Sequence, residues 1–99
     1  MKIESQKTGA ELTLFVEGRI DAVTAPDLES KLKEQLADVT KLVLDFTSVM
    51  FLSSAGIRTI LWASAQMKDQ QGTLILRNVT ETLKEVFVLT GLDTILNFE

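Results

Sequence analysis

No cysteine and no histidine occur anywhere in the 99-residue chain. Their absence removes disulfides, thiolate chemistry and imidazole acid–base work together. It also removes the common zinc ligands. Only carboxylates remain, and no Asp/Glu run has calcium-loop spacing, so no metal and no cofactor are expected. A basic stripe is missing too. Lys2, Lys7, Lys31, Lys33, Lys41, Lys68 and Lys84 are dispersed, and the formal net charge is −4. Proteins that bind nucleic acid directly cluster such cations to neutralise phosphates, so that class is excluded. No apolar run approaches the ~20 residues that span a bilayer, so no membrane insertion is expected. The opening MKIESQKTG has no apolar leader segment, and the expected location is the cytoplasm. There is no glycine-rich phosphate loop of the Walker kind. Neither Ser53 nor Ser54 begins a Ser-x-x-Lys pairing, and no histidine is available as a base. The chain is not expected to be an enzyme.

What is present suffices for one hydrophobic core. Apolar residues make up 45% of the chain and charged residues 24%, a globular balance at a length suited to one domain, 1–99. Met1–Lys7 reads as a short strand and Thr8-Gly9-Ala10 as a turn. In Glu11–Ile20, Leu12, Leu14 and Val16 alternate with Thr13, Phe15 and Glu17, so a hairpin opens the chain. Asp21–Pro26 leads into a first helix, with proline in the first turn. Its inward face is Ala25, Leu28, Leu32, Leu36 and Val39; Glu29, Lys31, Lys33 and Glu34 cover the outer face. Lys41–Phe46 and Thr73–Leu76 are short apolar runs suited to buried strands. A second helix is expected from Ser53–Ser54 to about Gln70, ending at Gly72. Its inward face reads Ile57, Ile60, Leu61, Ser64 and Met67. A third helix spans Thr80–Thr90, with Leu83, Val86 and Phe87 inward and Gly91 as its stop. Leu96–Phe98 adds a last short strand. Helices between apolar strands require crossovers. The expected fold is α/β: a mixed sheet of four to five strands, an opening β-hairpin, otherwise largely parallel, covered by helices.

The chemically informative stretch is 45–61, DFTSVMFLSSAGIRTIL. A strand is expected to end near Thr47, followed by a loop and two serines before the helix. A serine there is a preferred N-cap. The same position sets a hydroxyl beside unpaired N–H groups at the positive end of a helix, where a phosphate is well placed. Capping alone accounts for most such serines. Ser54, Arg58 and Trp62 recur at i, i+4 and i+8, a stripe in which Arg58 can reach a phosphate or a partner carboxylate. Trp62 is then either a partner anchor or a ring packed on the third helix. Asp21 is either part of a partner surface or a turn acid. Asp45 either orients the serine loop or caps a strand end.

Ser53-Ser54-Ala55-Gly56-Ile57 resembles the helix-opening motif of the STAS family, which includes bacterial anti-sigma factor antagonists. Three more segments match in order and spacing: Gly18-Arg19-Ile20-Asp21 with Thr24-Ala25 and Leu28; Lys41–Phe46; and Val86–Leu92. Alignment on Gly56 sets Ser54 on the family's phosphorylated serine. Ser53 then stands where many members have Asp, and Ala55 where they have Ser or Thr. The resemblance implies a partner that is an anti-sigma factor and a serine kinase, using ATP and magnesium. The unphosphorylated protein captures that partner and releases a sigma factor; phosphorylation of Ser54, with Ser53 as the rival, breaks the complex. A serine phosphatase reverses the mark. The implied partner surface is Asp21, Thr24, Ser53, Ser54, Gly56, Arg58 and Trp62, on a monomer or weak dimer. The alternative is a non-switching STAS adaptor in a stress-signalling or transport assembly.

Overall fold

Five strands lie in the order in which the chain makes them. The computed structural model describes residues 1–99. The elements are β1 (Lys2–Thr8), β2 (Glu11–Ile20), α1 (Ala25–Gln35), β3 (Lys41–Leu52), α2 (Ser54–Asp69), β4 (Thr73–Arg77), α3 (Glu81–Leu89), a short 3-10 turn (Leu92–Thr94) and β5 (Asn97–Phe98). The sheet order is β1-β2-β3-β4-β5. β1 pairs antiparallel with β2, and every later pair is parallel. The mixed sheet and its opening hairpin agree with the sequence reading.

Parallel neighbours in simple order require crossovers of one hand, which set all three helices on one face. The core reflects this. Leu12, Leu14 and Val16 of β2, Leu42, Leu44 and Phe46 of β3, and Leu74 and Leu76 of β4 join Leu28 and Leu32 of α1, Ile60 and Met67 of α2, and Leu83 and Phe87 of α3. The alternate positions face the other way, and there Glu17, Phe15 and Thr73 are exposed. Gly91 ends α3 at φ 76°, a left-handed conformation that glycine adopts without steric cost.

β3 does not end near Thr47. It runs to Leu52 and pairs with the whole of β2. Its twelve residues oppose ten, and the register slips between Phe15 and Glu17 and again between Gly18 and Arg19. Each slip is a β-bulge that adds one residue to β3. Inward positions therefore step by two up to Phe46 and then by three, to Val49 and Leu52. The break in alternation that suggested a loop is the mark of a bulged strand.

α2 is tied at both ends. The Ser53 N–H donates to the Ile20 carbonyl at 2.9 Å. At the far end, the Gln70 side-chain amide donates to the Leu36 and Val39 carbonyls, both at 2.9 Å. The buried stripe of α2 is Gly56, Thr59, Ile60, Ala63 and Met67, which corrects the expected face. Leu61 is exposed, and Ile57 and Ser64 are only half-buried. Small residues let a helix axis approach the sheet closely, and a reading weighted toward large apolar side chains rotates the face toward Leu61.

Candidate functional site

The carboxyl ends of β2 and β3 lie side by side, with Ile20 opposite Leu52. The two loops that follow them form one surface. Ser53 is the N-cap of α2, in extended conformation, and its hydroxyl oxygen accepts weakly from the Gly56 N–H at 3.4 Å. Ser54 is the first helical residue and is exposed. This corrects the expectation of two serines before the helix. One serine caps, and the hydroxyl of the other takes part in no internal hydrogen bond. Ser53 caps as an Asp at this position would, since both residue types accept from a first-turn N–H.

Gly56 explains how the helix tip comes so near β2. A Cβ there would lie 2.6 Å from Leu52 Cδ1, 2.7 Å from Ile20 Cγ2 and 3.0 Å from the Ile20 carbonyl oxygen. Only a hydrogen fits, so the first turn of α2 sits directly on the end of β2.

Asp21 and Thr24 lock the loop between β2 and α1. Asp21 Oδ1 accepts from the Val23 N–H at 3.0 Å and the Thr24 N–H at 3.1 Å. The Thr24 hydroxyl donates to the Arg19 carbonyl at 2.7 Å and accepts from the Asp21 N–H at 2.9 Å. The turn role of Asp21 is thus visible in its bonds. The Thr24 N–H holds the Asp21 carboxyl below its ordinary value of 3.8; partial desolvation opposes this, while the Val23 N–H, the Thr24 hydroxyl and Arg19 add to it. Arg19 Nε lies 3.5 Å from Asp21 Oδ2, and its guanidinium stacks 4.1 Å from the Phe51 ring centre.

Sequence reasoning missed the apolar rim. Met50 is 81% exposed and Val23 82%, and Phe51 is partly exposed beneath Arg19. Met50 is the extra residue of the second bulge, between the pairs Gly18–Val49 and Arg19–Phe51. Two apolar residues in a stretch expected to be loop were the signal that was available.

Beside Ser54 a groove of about 410 Å³ runs between α1 and α2, lined by Ala25, Pro26, Glu29, Ala55, Arg58 and Trp62 among others. Trp62 is half-buried and faces α1, with Lys33 Nζ 5.7 Å from its ring centre. Of the two readings of Trp62, packing on the third helix is thereby corrected: the ring lies toward α1. Arg58 is exposed.

Asp45 is not part of this surface. It is buried in the middle of β3, so it is neither a strand-end cap nor a support of the serine loop. Its Oδ1 accepts from the Thr47 hydroxyl at 2.6 Å and the Thr47 N–H at 2.9 Å; its Oδ2 accepts from Arg77 Nε at 3.0 Å and Asn78 Nδ2 at 3.1 Å. Burial alone would raise the carboxyl. The Thr47 hydroxyl and N–H, then Arg77 and Asn78, outweigh it and leave it lowered from 3.8. Asp45 joins β3 to the end of β4.

These elements make a small α/β domain: a sheet covered by helices on one face, with an exposed serine opening α2 on a glycine-seated turn beside an acid-locked loop. The family model described as STAS domain matches residues 2–99, and the chain belongs to that family. It is 30% identical over 89 residues to the anti-sigma-B factor antagonist of Listeria monocytogenes, covering 89% of this chain and 78% of that one. The crystal structure of an anti-sigma factor antagonist from Mycobacterium paratuberculosis is similar at TM-score 0.86 and 26% identity, covering 98% of this chain and 83% of that one. The Bacillus cell fate determinant SpoIIAA in its phosphorylated form shares the fold at TM-score 0.78 and 20% identity, covering 99% and 91%. No helix is long and apolar enough to cross a membrane.

Proposed function

We propose that this protein is an anti-sigma factor antagonist switched by phosphorylation of Ser54. Its unphosphorylated form binds an anti-sigma factor that is also a serine kinase, and a sigma factor is released. The kinase transfers the γ-phosphoryl of ATP to Ser54 Oγ; the hydroxyl proton leaves, ADP departs, and the complex falls apart. A serine phosphatase restores the hydroxyl by hydrolysis. The protein is the substrate in both steps and works in the cytoplasm.

The observation that carries the reading is the position of Ser54: exposed, first in α2, with its hydroxyl uncommitted because Ser53 holds the cap. A neutral hydroxyl can enter an apolar interface at small cost. A phosphate of about −1.5 to −2 charge must lose hydration there. A penalty of about 3 kcal/mol weakens binding more than a hundredfold. The rim of Val23, Met50 and Phe51 supports this, because these three side chains offer no donor to replace the hydration that a phosphate loses on burial.

The test is incubation with the cognate kinase, ATP and magnesium, followed by mass spectrometry. One phosphate, mapped to Ser54, retained in Ser53→Ala and lost in Ser54→Ala, is the expected result. Ser54→Asp should also bind the kinase at least tenfold more weakly. Phosphate on Ser53 alone would overturn the assignment, and no phosphate at all would leave the non-switching adaptor.

A further inference from the structure

We propose that Arg58 is a shared counter-ion of the switch: it pairs with a carboxylate of the partner while Ser54 is unmodified, and with the phosphate once Ser54 carries one. The inference rests on the Ser54 reading and adds the residue through which the modification would act.

Ser54 opens α2 and Arg58 stands four residues later. Side chains at that spacing are neighbours on one helical face, and helical side chains lean toward the N-terminus, so a group carried by Ser54 is within reach of the Arg58 guanidinium. Both residues are exposed. The chain has three arginines, and the other two are engaged: Arg19 lies between Asp21 and the Phe51 ring, and Arg77 is held by Asp45. Arg58 takes part in none of the four ion pairs of the molecule. The first turn of α2 contains no acid. The one carboxylate that faces Arg58 across the groove is Glu29 of α1, and the two form no ion pair. A guanidinium left uncommitted beside an apolar groove offers a planar fork that fits carboxylate and phosphate alike.

The competition between the two ligands is unequal. The partner's carboxylate arrives only by association, whereas a phosphate on Ser54 is already tethered one helical turn away, at high effective concentration. It also carries about twice the charge. Arg58 therefore turns inward on phosphorylation. The partner loses its counter-ion at the moment it meets a dianion.

The test uses the full chain carrying phosphoserine at position 54, introduced by genetic encoding, with its 31P resonance titrated against pH. The second ionisation of the phosphate should fall lower in the wild type than in Arg58→Gln by about half a pH unit, the size expected for an exposed pair, with Arg58→Lys between them. In the unmodified protein, Arg58→Gln should bind the kinase about threefold to fivefold more weakly. Equal phosphate midpoints, or unchanged kinase affinity in Arg58→Gln, would overturn the proposal. The titration needs no kinase. Arg58 can thus fail while Ser54 remains a true substrate, and a kinase that ignores Ser54 would sink the function while leaving the titration intact.

Discussion

Replacing Gly56 by alanine adds a single methyl group where α2 meets the end of β2. Two effects oppose each other. Alanine favours a helix interior over glycine by about 1 kcal/mol. Against this, the new Cβ lies 2.6 Å from Leu52 Cδ1 and 2.7 Å from Ile20 Cγ2, well inside contact distance, and 3.0 Å from the Ile20 carbonyl oxygen. Leu52 can rotate away, but the carbonyl is backbone in a paired strand and cannot. Overpacking of this kind costs about 1–3 kcal/mol, and the displaced first turn also strains the Ser53–Ile20 hydrogen bond. The net expectation for Gly56→Ala is a loss of about 1–2 kcal/mol, or roughly 4–16 °C in Tm for a domain of this size. Thermal unfolding followed by circular dichroism measures it directly. A double-mutant cycle sharpens the test: in a Leu52→Ala background one of the two closest obstacles is gone, so Gly56→Ala should cost less than it does alone. An unchanged or higher Tm, or strict additivity with Leu52→Ala, would refute the close-approach argument and leave glycine there without a steric reason.

Two further predictions concern the body of the fold. Asp45→Asn presents an amide to Arg77 and Asn78, which both donate, so about 2 kcal/mol should be lost in urea unfolding. The wild-type carboxyl is lowered on folding, so its contribution is complete above the ordinary value of 3.8 and disappears as pH falls through the folded value. The Asn variant should therefore lose less stability than the wild type between pH 5 and 2; parallel acid limbs would show that Asp45 is not the group responsible. Trp62→Ala should lower stability by about 2 kcal/mol, roughly half the cost for a fully buried ring, because the side chain is half-buried against the core. An unaltered Tm would show that Trp62 serves a partner rather than the fold.

Most of the architecture was legible because its signals are local. Alternation marked β2, a 3.6-residue period marked α1, and Gly91 marked the end of α3. The second half of β3 was not legible, since its bulges replace period two by steps of three at Phe46, Val49 and Leu52, and no short-range rule reads that as a strand. The face of α2 was rotated because Gly56, Thr59 and Ala63 carry little hydrophobic signal, although their smallness is what permits burial. The serine pair was located, but which one caps was not. That depends on whether residue 53 or 54 has extended backbone, and the choice is fixed by the Ser53–Ile20 bond to a strand 33 residues away. Asp45 was singled out but given the wrong neighbours, because Arg77 and Asn78 reach it only once β4 lies beside β3.

The anchoring of α2 at its two ends has a mechanical consequence. With Ser53 fastened to β2 and Gln70 fastened to the turn beyond α1, the helix behaves as a beam clamped at both supports. It cannot piston along its axis or pivot without breaking bonds at one support. Any signal written on its tip stays where it is written, and a reader of that signal must come to the same rigid platform in either state.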